Sequence, residues 1–205
     1  MGRIGGLLGV AVVAGVLVRQ RWLHWGATLQ ERQRLLPGDE VLPTAQSVST
    51  QAVTIAAGID EVWPWVAQMG YGGRAGFYSY PLVEWVGGAR DSRRIQGLSD
   101  PSAGDRIPYF TPLPLVVVVA EAPRVVVLGQ RVPDGRKARI DWTWAFVLSE
   151  SCGGRTRLLV RMRSYYAPAW MRVVVHLVLE PAHAVLGRRQ MLGIAQRAEA
   201  GTRQR

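Results

Sequence analysis

The sequence predicts an α+β fold in which a curved antiparallel sheet surrounds a long C-terminal helix, preceded by an N-terminal hydrophobic helix. Three observations lead to this prediction. Residues 4–18 contain no charge. From about residue 104, short apolar runs are separated by turn residues, which is typical of antiparallel strands. From Ala167 onward, apolar residues recur at helical spacing.

Composition places the chain among folded domains. It has 205 residues, of which 48% are apolar and 20% charged, so it can bury a core. Its single cysteine, Cys152, excludes a disulfide framework and a zinc site with several thiolates. The net charge of +10 comes from arginine, because Lys137 is the only lysine, and reflects either codon bias or an anionic partner. No recognised nucleic-acid-binding motif accompanies the arginines, so we predict no nucleic acid. We also predict no cofactor.

The N-terminal helix is the first element. Over residues 4–18 it would span roughly 22 Å against about 30 Å of bilayer hydrocarbon, so crossing requires extension through Trp22 to Trp25. We predict a transmembrane anchor over residues 1–25. The arginines that follow it predict a cytoplasmic main domain, and therefore a single-pass protein of the cell membrane. A cleaved signal peptide and a buried helix are the alternatives.

After the anchor we predict a linker over residues 26–49 and one domain over residues 50–200. The domain begins with Gln51 to Ala56, which alternates and is rich in β-branched residues, so it predicts a strand. Two short helices follow. One is predicted by the spacing of apolar residues from Ile59 to Met69, and the other covers Pro81 to Val86.

Five strands come next, and together they predict an antiparallel meander. They cover residues 105–110, 115–121, 125–131, 141–149 and 155–166. In the fourth, Trp142, Trp144 and Phe146 share one face. In the fifth, four arginines share the outward face, which we expect to be solvated. These are Arg155, Arg157, Arg161 and Arg163.

The last element is a long helix whose apolar stripe runs from Val173 to Ala198. Pro181 is expected to kink or divide it after Leu179. A curved sheet that does not fully contact this helix leaves a cavity between the two layers, which is the helix-grip shape.

Several short motifs occur in a fixed order between about positions 21 and 199. They are RWLHWGAT at 21–28, LPGDE at 36–40, VWPWVAQMG at 62–70, GFYSY at 76–80, GD at 104–105, TWAF at 143–146, GRTRLLVR at 154–161, EPAH at 180–183 and RRQML at 188–192. With these motifs the chain resembles the START/Bet v 1-type superfamily, also called SRPBCC or polyketide cyclase-like proteins. More narrowly, it is similar to bacterial members with an N-terminal hydrophobic segment.

The resemblance implies a START/Bet v 1-like helix-grip fold with a hydrophobic pocket, and it assigns no catalytic residue. We therefore predict a membrane-anchored binding protein for a hydrophobic small molecule or lipid, with residues 4–18 in the membrane. A polyketide cyclase or aromatase-like enzyme with an acid–base pair in the cavity is one alternative. A protein-interaction module is the other.

The predicted cavity residues combine aromatic rings with groups that can orient a ligand. They are Arg74, Tyr78, Trp85, Tyr109, Trp142, Trp144, Tyr166, Glu180 and His183. His176, Glu180 and His183 lie along one side of the terminal helix. Glu180 and His183 could form an acid–base pair or serve the structure alone. We predict no metal, because Pro181 disturbs the geometry.

Overall fold

The structure is a computed structural model that describes residues 2–89, 93–109, 114–130 and 139–202, without the side chains of residues 2–12 and 139. Six helices and six strands are described, with a π-helical turn between the last two helices. The helices are α1 Gly2–Leu23, α2 Leu29–Gln33, α3 Ile59–Ala67, α4 Pro81–Val86, α5 Met171–Val174 and α6 Glu180–Thr202. The strands are β1 Ser47–Ile55, β2 Arg106–Ile107, β3 Leu115–Glu121, β4 Val125–Gln130, β5 Arg139–Ser151 and β6 Arg155–Ala167. The π-helical turn covers Val175–Leu179.

The strands form one antiparallel sheet in the order β1-β6-β5-β4-β3-β2. This confirms the predicted α+β class with an antiparallel sheet and a long C-terminal helix. The C-terminal helix is also divided at the position predicted from Pro181. The π-helical turn ends at Leu179, and α6 begins at the next residue, beside Pro181.

The inner face of the sheet carries the main core. Phe146, Leu158 and Val160 point toward α6, where they meet Met191 and Ile194, and all five are buried. Alternation along each strand places these side chains on one face. The α3 helix packs on the same face, so the core has a sheet on one side and two helices on the other.

The outer face is covered by the segment that we predicted as a linker. Leu36 packs with Val127 and Leu159 in a second buried cluster. Beneath that segment, Arg161 is 3% exposed and donates to five oxygens of residues 31–50. The arginine side of β6 faces outward as predicted. The expectation that it is solvated is wrong for Arg161, because the segment folds back over it. The same segment leaves Arg157 and Arg163 half-buried and bound to Glu31 and Asp39, so only Arg155 of the four is exposed.

The prediction of a membrane anchor over residues 1–25 is wrong. In the part of the chain that the structure describes, no helix is long and apolar enough to cross a bilayer. The α1 helix does form, but it runs on through Arg19 and Arg21 to Leu23, and Arg19 binds Glu180 of the sheet-and-helix domain. The predicted single-pass location in the cell membrane is overturned by the same finding.

Candidate functional site

The inner face of the sheet has two chemically different ends. Its apolar end lies under the second half of α6. At the other end, near the start of α6, strand pairing aligns Ser47, Ser164, Trp142 and Gln130 in one row across four strands. The neighbouring row contains Ser49, Met162, Trp144 and Leu128. We call the end near the start of α6 the aromatic–polar end. It contains Tyr109, Trp142, Trp144, Ser164 and His183.

Solvent reaches the inner face at the aromatic–polar end. Ile140, Met162 and Ser164 point inward by their strand register, yet all three are half-buried. At the apolar end the corresponding side chains of Leu158 and Val160 are buried. The sheet and the C-terminal helix are therefore sealed together at one end and partly open at the other.

Aromatic rings form a continuous cluster at this end. Phe77 stacks on Trp144 with 5.5 Å between ring centroids, and it meets Tyr109 edge-on at 5.4 Å. Trp142 lies between Tyr109, at 5.6 Å, and Trp144, at 6.1 Å. Three of the predicted residues, Tyr109, Trp142 and Trp144, are thus brought together. Such a cluster offers flat apolar surfaces with polar edges.

Three buried polar atoms between the sheet and α6 have no hydrogen-bond partner among the described residues. They are Trp144 Nε1, Gln51 Oε1 and Gln190 Oε1. Each belongs to a side chain whose residue is at most 5% exposed. A buried polar atom without a partner costs about 1–3 kcal/mol, so a ligand or water that supplies one is favoured. The indole of Trp142, in contrast, donates to Gln130 Oε1 at 3.1 Å.

Gly187 lets Gln51 approach α6 closely. A Cβ at Gly187 would lie 2.9 Å from Gln51 Oε1 and 3.9 Å from His183 Nε2. The amide nitrogen of Gln51 donates to the carbonyls of Trp22 and Ala184. These contacts fix the orientation of the side chain and leave its oxygen beside His183.

His183 joins the polar atoms to the aromatic cluster. Its ring meets Trp144 edge-on with 5.8 Å between centroids. Burial lowers the pKa of His183 to about 4, although nearby Glu180 acts in the opposite direction. The imidazole is therefore neutral at pH 7 and can donate one hydrogen bond and accept another.

The carboxylate of Glu180 forms an ion pair and accepts hydrogen bonds within the protein. Arg19 donates two hydrogen bonds of 2.7 Å to its carboxylate, and Ser47 Oγ donates a third. Burial alone would raise the pKa of Glu180, but the bonds from Arg19 and Ser47 outweigh it and lower the pKa. Glu180 is thus an anion that holds α1, β1 and α6 together.

Tyr166 lies close to this carboxylate. Its hydroxyl is 3.2 Å from His176 Nε2, which in turn is 3.7 Å from Glu180 Oε1.

No group of three or more histidine, cysteine or acidic side chains within the described ranges is arranged to hold a metal ion.

The remaining predicted residues lie elsewhere. Arg74 donates to the carbonyls of Ala67 and Met69, so it closes the end of α3. Tyr78 is 2% exposed, and its hydroxyl donates to the carbonyl of Trp65. Trp85 is 78% exposed on α4 and joins none of the ring contacts described above.

Sequence reasoning missed Ser47, Gln51, Phe77 and Gln190. Gln51 gave a usable signal, because a glutamine on the same strand face as Val53 and Ile55 needs a buried partner. The other three gave none that separates them from ordinary core or turn positions.

Comparisons with known proteins identify the fold alone. No protein-family model matches the chain, and no curated protein matches it. The hypothetical protein jhp0584 from Helicobacter pylori has a similar structure, with a TM-score of 0.50 and 9% identity over 84% of this chain and 99% of that one. At this identity the likeness concerns architecture and not activity.

Two further solved structures are similar at lower scores. CalU16 from Micromonospora echinospora is 22% identical, with a TM-score of 0.40 over 75% of this chain and 84% of its own. Protein MLL2253 from Mesorhizobium loti is 13% identical, with a TM-score of 0.45 over 75% of this chain and 98% of its own.

Proposed function

We propose that the chain binds a hydrophobic small molecule or lipid at the aromatic–polar end of the inner face, as the START/Bet v 1-like resemblance implies. The observation that carries the proposal is the indole N–H of Trp144. It is buried, has no partner among the described residues, and lies beside an inner face that solvent still reaches. A ligand there would gain mainly from burial of apolar area, at about 25 cal/mol per Å².

The polar atoms define the kind of group that the ligand carries. Trp144 Nε1 can only donate, so it favours a carbonyl, ether or hydroxyl oxygen. Gln51 Oε1, which lies on the His183 side of Gly187, can only accept, so it favours a hydroxyl or amine hydrogen. An aromatic or polycyclic body with one or two oxygen substituents satisfies both requirements.

The charge state of Glu180 favours binding without a reaction. An acid–base mechanism needs a proton donor and a proton acceptor at the ligand. Glu180 is an anion with no proton to give at neutral pH, and both of its oxygens already accept hydrogen bonds from Arg19 or Ser47, so it is poorly placed as either the acid or the base. A protein-interaction surface built on Trp142 and Trp144 has no support either, since both are buried.

Fluorescence titration of the full chain tests the proposal. The probe is prodan, a neutral naphthalene dye whose carbonyl accepts a hydrogen bond and whose emission moves to the blue in apolar sites. We expect saturable binding, and Trp144→Phe should weaken it about tenfold, the value of one hydrogen bond of about 1.4 kcal/mol. Trp63→Phe is the matched control. It is equally buried on α3, and its indole donates to Asp100.

The control variant should lose stability and keep prodan affinity. The proposal is wrong if prodan shows no saturable binding to the native chain. It is also wrong if both tryptophan variants weaken binding equally, because the effect would then follow stability instead of the site.

A further inference from the structure

The short α4 helix packs next to the ring cluster of the aromatic–polar end. Leu82 and Trp85 on its outer side are exposed. Its C-terminal end lies against Tyr71, because a Cβ at Gly87 would overlap the Tyr71 ring. That ring in turn meets Phe77 edge-on, with 5.0 Å between centroids. The helix is therefore connected to the ring cluster through the residues that precede it.

Glu84 is the α4 side chain that turns back toward the preceding loop. It is half-buried, and its Oε2 accepts the backbone N–H of Phe77 at 2.9 Å. Its Oε1 accepts the backbone N–H of Ser79 at 2.6 Å. One carboxylate thus binds two amides, one on each side of Tyr78. We call this arrangement of Glu84 with residues 77–79 the Glu84 clamp.

The loop in the clamp has an uncommon backbone conformation. Tyr78 has a φ of 57°, which residues other than glycine rarely adopt. The carbonyl oxygen of Tyr78 approaches α6 so closely that a Cβ at Gly193 would lie 2.7 Å from it. Such a conformation persists only where its surroundings hold it. The two hydrogen bonds from the loop to Glu84 are part of what holds it.

The carboxylate is matched to this task. Burial raises the pKa of Glu84, while the amides of Ser79 and Phe77 and the guanidinium of Arg197 act in the opposite direction. Both carboxylate oxygens can accept, so both amides are satisfied. A glutamine has the same shape but only one acceptor oxygen, so it can satisfy only one of them.

Phe77 is the side chain that the clamp holds in place. Its ring stacks on Trp144 with an interplanar angle of 20°. Because the N–H of Phe77 itself binds Glu84, the carboxylate fixes the point from which this ring projects. Trp144 carries the indole N–H that has no partner among the described residues. The direction of that N–H therefore depends on the ring stacked against it.

We propose that Glu84 is a positioning residue of the ligand site. Through the Glu84 clamp it holds Phe77 against Trp144, and so it sets the direction of the indole N–H and the flat wall that a ligand meets. Glu84 itself does not contact the ligand. This role rests on the proposed function for its ligand, but the placement of the two rings is measurable without one.

Fluorine NMR of the full chain labelled with 5-fluorotryptophan reports on Trp144 directly. The Trp144 signal is the one that disappears in Trp144→Phe. In Glu84→Gln we expect this signal to shift and broaden, because Phe77 no longer keeps a single position over the indole. Glu199→Gln is the matched control and should leave the signal unchanged. The Glu199 carboxylate is also half-buried and accepts a backbone N–H, that of Ala56 at 3.0 Å.

A double-mutant cycle with prodan tests whether Glu84 and Phe77 act together on binding. Glu84→Gln should weaken prodan binding about threefold in the native background and less than about 1.5-fold in the Phe77→Leu background, since residues that act through each other are not additive. An effect of Glu84 on stability alone would weaken binding equally in both backgrounds. Glu84→Asp, which reaches only one amide, serves if Glu84→Gln does not fold, and it should shift the same fluorine signal.

Glu84 is not a positioning residue if its folded variants leave the Trp144 signal where the native chain has it. The same conclusion follows if they weaken prodan binding equally with and without Phe77. Failure of the native chain to bind prodan would instead overturn the proposed function, and the fluorine signal would still decide whether Glu84 positions the two rings.

Discussion

Arg19 and Glu180, 161 positions apart, form an ion pair with two hydrogen bonds of 2.7 Å. The pair connects the last turns of α1 to the first turn of α6, and Ser47 of β1 adds a third bond to the same carboxylate. The Glu180 side chain is 8% exposed and that of Arg19 is 37% exposed. The contact therefore joins three elements around one buried anion.

Replacing Arg19 should release α1 from the domain. In Arg19→Gln the carboxylate of Glu180 keeps Ser47 but loses its charged partner, which should cost about 1–3 kcal/mol of unfolding free energy. Amide hydrogen exchange of residues 13–23 should become faster at the same time. Urea denaturation and exchange mass spectrometry measure the two effects. Arg124→Gln is the control, since its pair with Glu150 is exposed and should be worth about 0–1 kcal/mol. Equal losses in both variants would contradict the special role of Arg19.

The sequence predicted most of the fold because local rules decide it. Alternation in β5 and β6 set the inner face correctly, and Pro81 with Gly87-Gly88 fixed α4 at its observed bounds. It did not predict what covers the outer face. Strand periodicity alone predicts that Arg161 is solvated, whereas contacts with residues 31–50, more than 110 positions away, bury it.

The candidate site was predicted in part for the same reason. Trp142 and Trp144 follow from strand periodicity, which is a local signal. Trp85 has the same chemistry, but α4 presents it to solvent, and nothing local distinguishes the two cases. Arg74 was predicted to contact a ligand. In the structure its guanidinium donates to two carbonyls at the end of α3, and these contacts could not be predicted from local sequence.

Arg161 should be among the most costly single residues to replace. Its guanidinium is buried, with Asp39 Oδ2 at 2.6 Å and Thr50 Oγ1 at 3.0 Å. Arg161→Met keeps most of the volume and leaves Asp39 without its nearest partner, so we expect a loss of about 3–5 kcal/mol by urea denaturation. Arg155→Met is the control on the same strand, because Arg155 is exposed. A loss below about 1 kcal/mol in Arg161→Met would show that the segment covering it adds little stability.

Glu31 should make the chain sensitive to acid. Its hydrogen bonds from Arg157 are the main cause that lowers the pKa of Glu31 from 4.5 to about 2. The folded state thus holds this carboxylate ionised where the unfolded chain protonates it. The stabilisation is full above pH 4.5 and disappears as the pH falls toward 2. Glu31→Gln should remove about 1–3 kcal/mol at pH 7 and much less at pH 2.5. Glu150→Gln, on an exposed carboxylate, should change little at either pH. If Glu31→Gln lowers the unfolding free energy by the same amount at both pH values, the stabilisation does not come from the ionised carboxylate.

His183 should give a second pH dependence in a higher window. Burial holds its pKa at about 4 in the folded state, against 6.5 in the unfolded chain. Between these values the unfolded chain binds the proton and the folded state does not. Stability should therefore fall as the pH drops from 6.5 to 4 and change no further below 4 through this group. In His183→Gln the decline over that window should be smaller by about 1–3 kcal/mol in urea denaturation. Prodan, if it contacts the neutral imidazole, should bind the native chain equally from pH 8 to pH 6. Parallel stability curves for the native chain and His183→Gln would show that the surroundings of this half-buried imidazole do not lower its pKa.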